Sequence, residues 1–253
     1  MTFLKREFNL FLLALGFFSR IPMPAGVDYS SENLNRASRY FTLVGWFLGA
    51  IVALVFCTSN LVFSKDVSLW LAMGFSLLLT GAFHEDGLAD TADGFGGGFT
   101  REKKLSIMKD SRIGTYGAAA LVFGLSGKYI LLIDNNQIAL SLLIAYALSR
   151  ATAASLLFDM TYVADIDNSK SKPLANNHSI VDLSILTISA IPVFILLPPL
   201  HAVVICASLF IYRQLAKWFF NRQIGGYTGD CLGAAQQVGE LLIYLLFLLL
   251  LAI

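Results

Sequence analysis

Four acidic side chains fall within nine residues in the segment 84–98, at the end of an apolar run. Asp86, Asp90 and Asp93 are spaced four and three residues apart, so a helix places them on one face with neighbouring Cβ atoms about 5–6 Å apart. Like charges at that distance repel one another unless a cation neutralises them. Mg²⁺ takes oxygen ligands, usually one or two carboxylates together with substrate phosphates. The spacing therefore predicts a magnesium site, although acids at a solvated helix end also complement the helix dipole.

The segment 108–117 places Lys109, Asp110 and Arg112 directly before another apolar run. Cations in such a position can anchor a helix end by extending to the membrane surface. They can also form a diphosphate clamp, in which the planar guanidinium of Arg112 donates to phosphate oxygens. Both interpretations stay open from the sequence.

The segment 225–234 is rich in glycine and contains an acid, Asp230. Gly229 and Gly233 have the spacing of residues at a close helix–helix contact. Helix packing accounts for the glycines but not for the carboxylate, so Asp230 is a further candidate for the site.

Three other charged residues are candidates of less certain use. Glu85 lies about 100° around the helix from Asp86 and is a weaker metal ligand than the three aspartates. Arg150 and Glu240 lie inside apolar runs, where an ionisable side chain is costly unless it is paired or hydrated. Each is therefore a functional candidate, and the alternative is that such residues pair and only lock the helices together.

The composition excludes most classes other than a membrane protein. Of the 253 residues, 57% are hydrophobic and 14% charged, and the mean hydropathy is +0.70. A soluble domain has about 25% charged and about 45–50% apolar residues, so too few polar side chains remain to cover a surface facing water. The net charge of +1 gives no reason to expect nucleic-acid binding. We therefore predict an all-α, polytopic helical bundle surrounded by membrane lipid.

A span of the bilayer takes about 20 apolar residues, and the chain then contains seven predicted spans within a single domain, residues 1–253. They are 41–63, 69–83, 113–133, 138–158, two short helices within 183–212, and 238–253. The two helices within 183–212 are separated at Pro198 and Pro199, because proline removes a backbone donor and clashes with the preceding turn. The apolar stretch 8–18 is too short to span and is predicted to be an interfacial or re-entrant helix.

The distribution of cations predicts the orientation. Fifteen of the 18 Lys and Arg residues lie in the segments 1–40, 84–112, 159–182 and 213–237, which the predicted spans place on the same side of the membrane as the N-terminus. Lys65 alone lies on the opposite side, and Lys128 and Arg150 lie inside apolar runs. The N-terminus and all the polar motifs are therefore predicted to be cytoplasmic.

Three motifs, HEDGLADTADG, MKDSRIGTYG and GGYTGDCLGA, resemble in order and spacing those of the adenosylcobinamide-GDP ribazoletransferase family, also called cobalamin synthase. The strings RIPMP and RYFTLVGWFLG are similar to further family segments, so the resemblance covers essentially the whole chain. Two positions depart from the family pattern. Glu85 stands where the pattern is usually apolar, so no role is carried onto it, and Thr42 stands where proline is frequent.

The resemblance implies an integral enzyme of the bacterial inner membrane that acts late in vitamin B12 synthesis. Such enzymes join adenosylcobinamide-GDP to α-ribazole, or to its 5′-phosphate, and release GMP, using Mg²⁺. In this chain the base for the ribose hydroxyl would be His84 or a carboxylate that holds no metal. The predicted catalytic residues are His84, Asp86, Asp90 and Asp93. The predicted metal ligands are Asp86, Asp90, Asp93 and Asp230. The predicted substrate-binding residues are Lys109, Asp110, Arg112, Arg150, Gly229 and Asp230.

Three other functions fit parts of the pattern. CDP-alcohol phosphotransferases have spaced aspartates beside an Asp-Gly pair, but Ala-Arg follows where this chain has Ala89 and Asp90. A transporter would bind ions at Asp90, Arg150 and Glu240, yet transporters favour inverted repeats and the acidic segment has no second copy. A non-catalytic assembly partner would leave three polar motifs without a use. The preference for α-ribazole or its phosphate, the number of ions, the oligomeric state and the roles of Glu85 and Glu240 stay open.

Overall fold

The computed structural model of the protein describes residues 3–164 and 178–251, and helices dominate both ranges. Within these ranges no strand forms, and one isolated bridge pairs Tyr162 with Tyr227. The predicted all-α fold is confirmed. The α-helices are α1 (Phe3–Phe18), α2 (Ser31–Ala37), α3 (Phe41–Ser59), α4 (Lys65–Thr80), α5 (Phe83–Gly97), α6 (Arg101–Met108), α7 (Thr115–Ile133), α8 (Ile138–Ser155), α9 (Ile180–Ile188), α10 (Val193–Leu196), α11 (Pro199–Ile224) and α12 (Gly229–Leu251). Two 3-10 turns, Ser38–Tyr40 and Leu156–Phe158, join α2 to α3 and extend α8.

Five segments of the described residues are long and apolar enough to cross a membrane. They are Ser31–Ser59, Thr115–Ile133, Ile138–Phe158, Pro199–Ile224 and Gly229–Leu250. A sixth results if α4 and α5, which meet at an angle of 84°, are counted as one broken span. The chain is thus a multi-pass membrane protein, with five or six spans in the described residues where seven were predicted.

The difference in number arises around the two prolines. Pro199 begins one helix of 26 residues, α11, because proline is favoured in the first helical turn, where its missing N–H group is not needed. The helices before it, α9 and α10, form a shorter apolar segment, Ile180–Leu196. The predicted break at Pro198 and Pro199 is therefore confirmed, but only the helix after it is long enough to be counted as a span. The last span also begins earlier than residue 238, at Gly229, so that Asp230 lies in its first turn.

A sharp break separates α4 from α5 and sets the direction of the acidic helix. Gly81 (φ 66°) and Ala82 (φ 54°) both adopt the left-handed conformation. Glycine reaches that conformation at little cost, whereas alanine is strained there. The Gly81 N–H donates to the Leu77 carbonyl and ends α4. After the break, α5 runs beside α7 and α12.

Close contact between two glycines places α5 directly on α12. A Cβ atom on Gly87 would lie 2.9 Å from the Asp230 carbonyl oxygen and 3.2 Å from the Cα atom of Gly233. Only glycine therefore fits at residue 87 without a shift of one helix. The contact brings the acidic face of α5 to the first turn of α12.

Helix α1 contacts the start of α3. Phe11 packs edge-on against Tyr40 and Phe47, and Phe18 packs against Phe41. These contacts agree with an interfacial or re-entrant helix, which stays a prediction. The orientation of the chain also stays a prediction, and two of its supporting charges, Lys170 and Lys172, lie outside the described residues.

Candidate active site

The carboxylates of Asp86 and Asp90 have no hydrogen bond or salt bridge to any other described residue. Asp86 is exposed and Asp90 is half-buried. Electrostatic interactions join Asp90 to Asp230, Asp86 and Asp93, and join Asp230 to Asp86. The structure therefore brings Asp230, from a distant part of the chain, next to the acids of α5, as the sequence motifs predicted.

Asp230 is oriented by a residue that the sequence analysis missed. The Thr228 hydroxyl donates to Asp230 Oδ2 (3.3 Å) and accepts from the backbone N–H of Cys231 (3.3 Å). Threonine just before a helix is a frequent cap of its first turn. The Thr-Gly-Asp-Cys string was a sequence signal for this cap.

Asp93 occupies a different position from the other two aspartates. Its Oδ2 atom accepts the backbone N–H of Gly114 (2.7 Å), and its Oδ1 atom accepts the backbone N–H of Gly117 (2.8 Å). Both oxygens thus satisfy free N–H groups at the start of α7. Asp93 therefore caps the start of α7, and its role as a metal ligand stays a prediction.

The acids at the α5–α12 contact offer carboxylate oxygens, the type of donor that Mg²⁺ takes. Within the described residues, no group of three or more His, Cys, Asp or Glu side chains is placed so that it could hold a metal ion. Mg²⁺ needs less than that, since one or two carboxylates and the substrate phosphates suffice. Asp86 and Asp90 supply carboxylate oxygens that accept no hydrogen bond from a described residue, and Asp230 lies beside them, so one or two carboxylates of this set fit the ion together with substrate phosphates.

Three predicted site residues, His84, Arg150 and Gly229, line one narrow cavity between α1, α3, α5, α8 and α12. The His84 ring is 3% exposed and stacks on Phe18, with 5.2 Å between ring centres. The Arg150 side chain is 3% exposed, donates from Nη1 to the Tyr146 carbonyl (2.9 Å), and has no partner at Nε. Phenylalanine rings close much of this cavity, which disfavours His84 as the base for a substrate hydroxyl.

Arg112 forms an ion pair with Asp110 in the loop between α6 and α7. Its Nε atom lies 3.0 Å from Oδ1 and its Nη2 atom 2.6 Å from Oδ2. The hydrogen bonds from the Arg112 side chain and backbone lower the pKa of Asp110 to about 2. Both side chains are exposed, 87% for Arg112 and 38% for Asp110. Arg112 must therefore leave Asp110 to place its guanidinium on a phosphate group, and Lys109 beside it is also exposed.

Residues 10–248 match the model of the family described as cobalamin-5-phosphate synthase. The chain belongs to the cobalamin-5-phosphate synthase family. The family assignment confirms the resemblance seen in the three motifs and makes the chain an enzyme, a transferase of cobalamin synthesis. The alternatives of a CDP-alcohol phosphotransferase, a transporter and a non-catalytic partner are thereby set aside.

Several relatives of the chain are named adenosylcobinamide-GDP ribazoletransferase. The chain is similar to such a protein from Vibrio cholerae, with 53% identity over 97% of this chain and 95% of the relative. It is similar to another from Shewanella piezotolerans, with 50% identity over 97% and 96%. A third, from Vibrio vulnificus, shares 48% over 96% of each chain. No solved structure matches the chain.

Proposed function

We propose that the chain joins adenosylcobinamide-GDP to α-ribazole, or to α-ribazole 5′-phosphate, and releases GMP in a reaction that requires Mg²⁺. The names of relatives about half identical over nearly their full length support these substrates. The observation that carries the proposed site is the pair of carboxylates on α5, Asp86 and Asp90, which are held beside Asp230 without partners of their own.

Asp86, Asp90 and Asp230 are the residues that would hold the ion. When bound, Mg²⁺ supplies charge neutralisation for the diphosphate and the departing phosphate. These three residues share two properties that suit a metal ligand. Their carboxylates accept few hydrogen bonds from the protein, and they lie at the contact between α5 and α12. Asp93 is assigned instead to holding the start of α7.

The reaction exchanges one phosphorus–oxygen bond for another. A ribose hydroxyl oxygen of α-ribazole forms a bond to the phosphorus next to the corrinoid, the P–O–P bridge breaks, and GMP leaves with the bridging oxygen. The hydroxyl proton passes to the carboxylate of the Asp86, Asp90 and Asp230 set that does not hold the ion, since Mg²⁺ takes one or two carboxylates and His84 is enclosed by phenylalanine rings. A carboxylate suits this step when it lies within hydrogen-bond reach of the hydroxyl.

Arg112 is proposed to bind the diphosphate of the nucleotide. A guanidinium donates two parallel hydrogen bonds to phosphate oxygens, as it does here to Asp110. Asp110 then binds the Arg112 guanidinium while no substrate is present, and the diphosphate takes the place of Asp110 when the nucleotide binds. Lys109 adds positive charge to the same loop, and Arg150 with Gly229 forms the inner cavity beside His84.

The proposed location is the bacterial inner membrane, with the N-terminus and site in the cytoplasm, where nucleotides are found. The bias of Lys and Arg toward one set of loops supports this orientation. Reporter fusions after residue 112 and after residue 63 test it. Cytoplasmic signal is expected at residue 112 and periplasmic signal at residue 63, and the reverse pattern contradicts the orientation.

The decisive experiment is an assay of the purified protein with adenosylcobinamide-GDP, α-ribazole and Mg²⁺, followed by chromatography of GMP and the corrinoid product. Asp86→Asn and Asp90→Asn are expected to lower turnover at least about 100-fold, the scale of losing an essential electrostatic group. Asp134→Asn is the matched control, since Asp134 is exposed at the other end of α7. Near-normal turnover of both α5 variants, or full activity in the presence of a chelator, contradicts the proposal.

A further inference from the structure

A group of buried ionisable side chains joins α5, α7 and α12 on the face of α5 that lies about 100° around the helix from Asp86. Lys128 Nζ lies 3.4 Å from Glu85 Oε1 and 3.1 Å from Glu240 Oε1. The exposed fractions are 7% for Lys128, 7% for Glu85 and 2% for Glu240. Arg150 interacts electrostatically with Glu240, so these two cations and two carboxylates balance.

Neutral side chains complete the group. Gln237 Nε2 donates to Glu85 Oε1 (3.1 Å) and to Gln236 Oε1 (2.8 Å). Gln236 Nε2 donates to Glu240 Oε2 (2.6 Å), and the Tyr244 hydroxyl donates to Glu240 Oε1 (2.8 Å). The carboxylates of Glu85 and Glu240 are thereby each oriented by an ion pair with Lys128 and by a hydrogen bond from a neutral side chain.

Stability alone does not explain such a group. A buried ion pair can often be replaced by apolar residues of similar volume without loss of stability, and apolar side chains are abundant in this chain. Buried ionisable residues in membrane spans more often serve function. The question is therefore what the fixed direction of Glu85 accomplishes.

Glu85 and Asp86 are neighbours on α5, about 100° apart around the helix axis. The direction in which Glu85 is held therefore sets the direction in which Asp86 points. At the other end of α5, Asp93 is bonded to Gly114 and Gly117 of α7. Anchors at residues 85 and 93 thus fix the rotation of the helix, while the two carboxylates between them stay without partners.

We propose that Lys128 is a positioning residue for the transfer reaction, which holds Glu85 against α7 and α12 and so keeps Asp86 and Asp90 directed at Asp230. Lys128 does not touch the substrate and acts through Glu85. The inference rests on the proposed role of Asp86 and Asp90.

The test removes one balanced pair of charges. The double variant Glu85→Gln with Lys128→Met leaves Glu240 beside Arg150 and nearly preserves side-chain volume. Its kcat is expected to fall about 10–100-fold, the usual effect of removing the support of a site residue, with KM for α-ribazole within about three-fold of the original. Lys128→Arg, which keeps the cation, is expected to retain most of the activity.

A matched control removes another interhelical ion pair, with Asp159→Asn and Lys217→Met, which connect the end of α8 to α11. This control is expected to change thermal stability and to leave kcat unaltered. A purely structural role for Lys128 predicts the same behaviour for both double variants. Equal kcat values in the two, at the level of the unchanged protein, overturn the proposal.

A second readout is independent of catalysis. A cysteine is introduced by Asp86→Cys in a background with Cys57→Ser and Cys206→Ser, and its reaction with a membrane-impermeant maleimide is timed. The Glu85→Gln, Lys128→Met pair is expected to change the labelling rate at residue 86 several-fold, but not the rate after Ser106→Cys on exposed α6. An unchanged rate at residue 86 contradicts a change in helix direction.

The labelling result also separates the two proposals. If Asp86→Asn and Asp90→Asn are active but labelling changes, the proposed roles of the acids fail and the helix is still positioned by Lys128. If the double variant does not fold, the variant Gln237→Leu tests the positioning role instead. It removes the hydrogen bond from Gln237 to Glu85 and leaves every charge in place. A fall in kcat at an unchanged melting temperature supports positioning, and an unaltered kcat overturns it.

Discussion

Asp93 Oδ2 lies 2.7 Å from the backbone nitrogen of Gly114, so the last acid of the α5 motif holds the loop that carries Arg112. A Cβ atom on Gly114 would lie 2.4 Å from Asp93 Oδ1. Residue 114 must therefore be glycine for the Asp93 carboxylate to keep this position. This contact connects the acidic helix α5 to the loop that carries Asp110 and Arg112.

Asp93→Asn is expected to destabilise the protein by about 1–3 kcal/mol, because the new amide group leaves a buried backbone N–H without an acceptor. Thermal unfolding in detergent measures the change. The Mg²⁺ concentration for half-maximal activity is expected to stay constant in this variant and to rise in Asp86→Asn. An Asp93→Asn protein with normal stability and a raised Mg²⁺ requirement would restore Asp93 to the ligand set.

Gly87→Ala is expected to lower kcat at least about ten-fold while the protein stays folded. The added Cβ atom would lie 2.9 Å from the Asp230 carbonyl oxygen, and overpacking of this kind shifts the backbone. The shift separates Asp86 and Asp90 from Asp230. Gly74→Ala is the matched control, because an added Cβ atom there meets no heavy atom within 4 Å. Comparable kcat values for the two variants would contradict the proposed α5–α12 arrangement.

Arg112→Gln is expected to raise KM for adenosylcobinamide-GDP about ten-fold or more, since charge-assisted bonds to phosphate are lost. Arg112→Lys is expected to recover part of the affinity, because an ammonium keeps the charge but lacks the planar fork. KM for α-ribazole is measured in the same assays and is expected to stay constant. A membrane anchor without a substrate role predicts no change in either KM value.

Asp159 provides a test of pH dependence. Burial raises its pKa, but hydrogen bonds from Arg213 and Lys217 outweigh burial and lower the pKa below its ordinary value. A lowered pKa contributes stability above the ordinary value, about 3.9, which is lost as the pH falls through the folded-state pKa. Asp159→Asn is therefore expected to cost up to about 1 kcal/mol at neutral pH and progressively less as the pH falls through the folded-state pKa. Melting temperatures across that range measure the difference, and a constant difference at all pH values contradicts the ion pair.

The all-α membrane fold and the acidic set were within reach of sequence reasoning because both follow from local patterns. Apolar runs of span length indicate helices, and a spacing of three or four residues places Asp86 and Asp90 on one face. The contact of these residues with Asp230 required the family motifs, since no local rule joins residues so far apart. The break at Pro198 and Pro199 was predicted correctly, but the apolar segment before it, Ile180–Leu196, is shorter than a span, so the number of spans was overestimated.

The separate uses of Glu85, Asp86, Asp90 and Asp93 could not be predicted from spacing. Acids on one helix have the same chemistry, and tertiary partners decide their functions. Asp93 meets two backbone donors from α7, and Glu85 meets Lys128 and Gln237. Those partners lie 21 or more residues away in the chain, beyond the range of any helical periodicity.

Phe17 and Phe18, at the end of α1, form part of the wall around His84 and Arg150. The amino-terminal helix is therefore a structural component of the inner cavity, although none of the acidic motifs lies within it. A truncated protein that begins at α2 retains every carboxylate discussed above and loses two of the four phenylalanine rings of this wall. Shortened versions designed for crystallisation would consequently open the cavity to lipid or water, and a loss of turnover in them would say nothing against the acids.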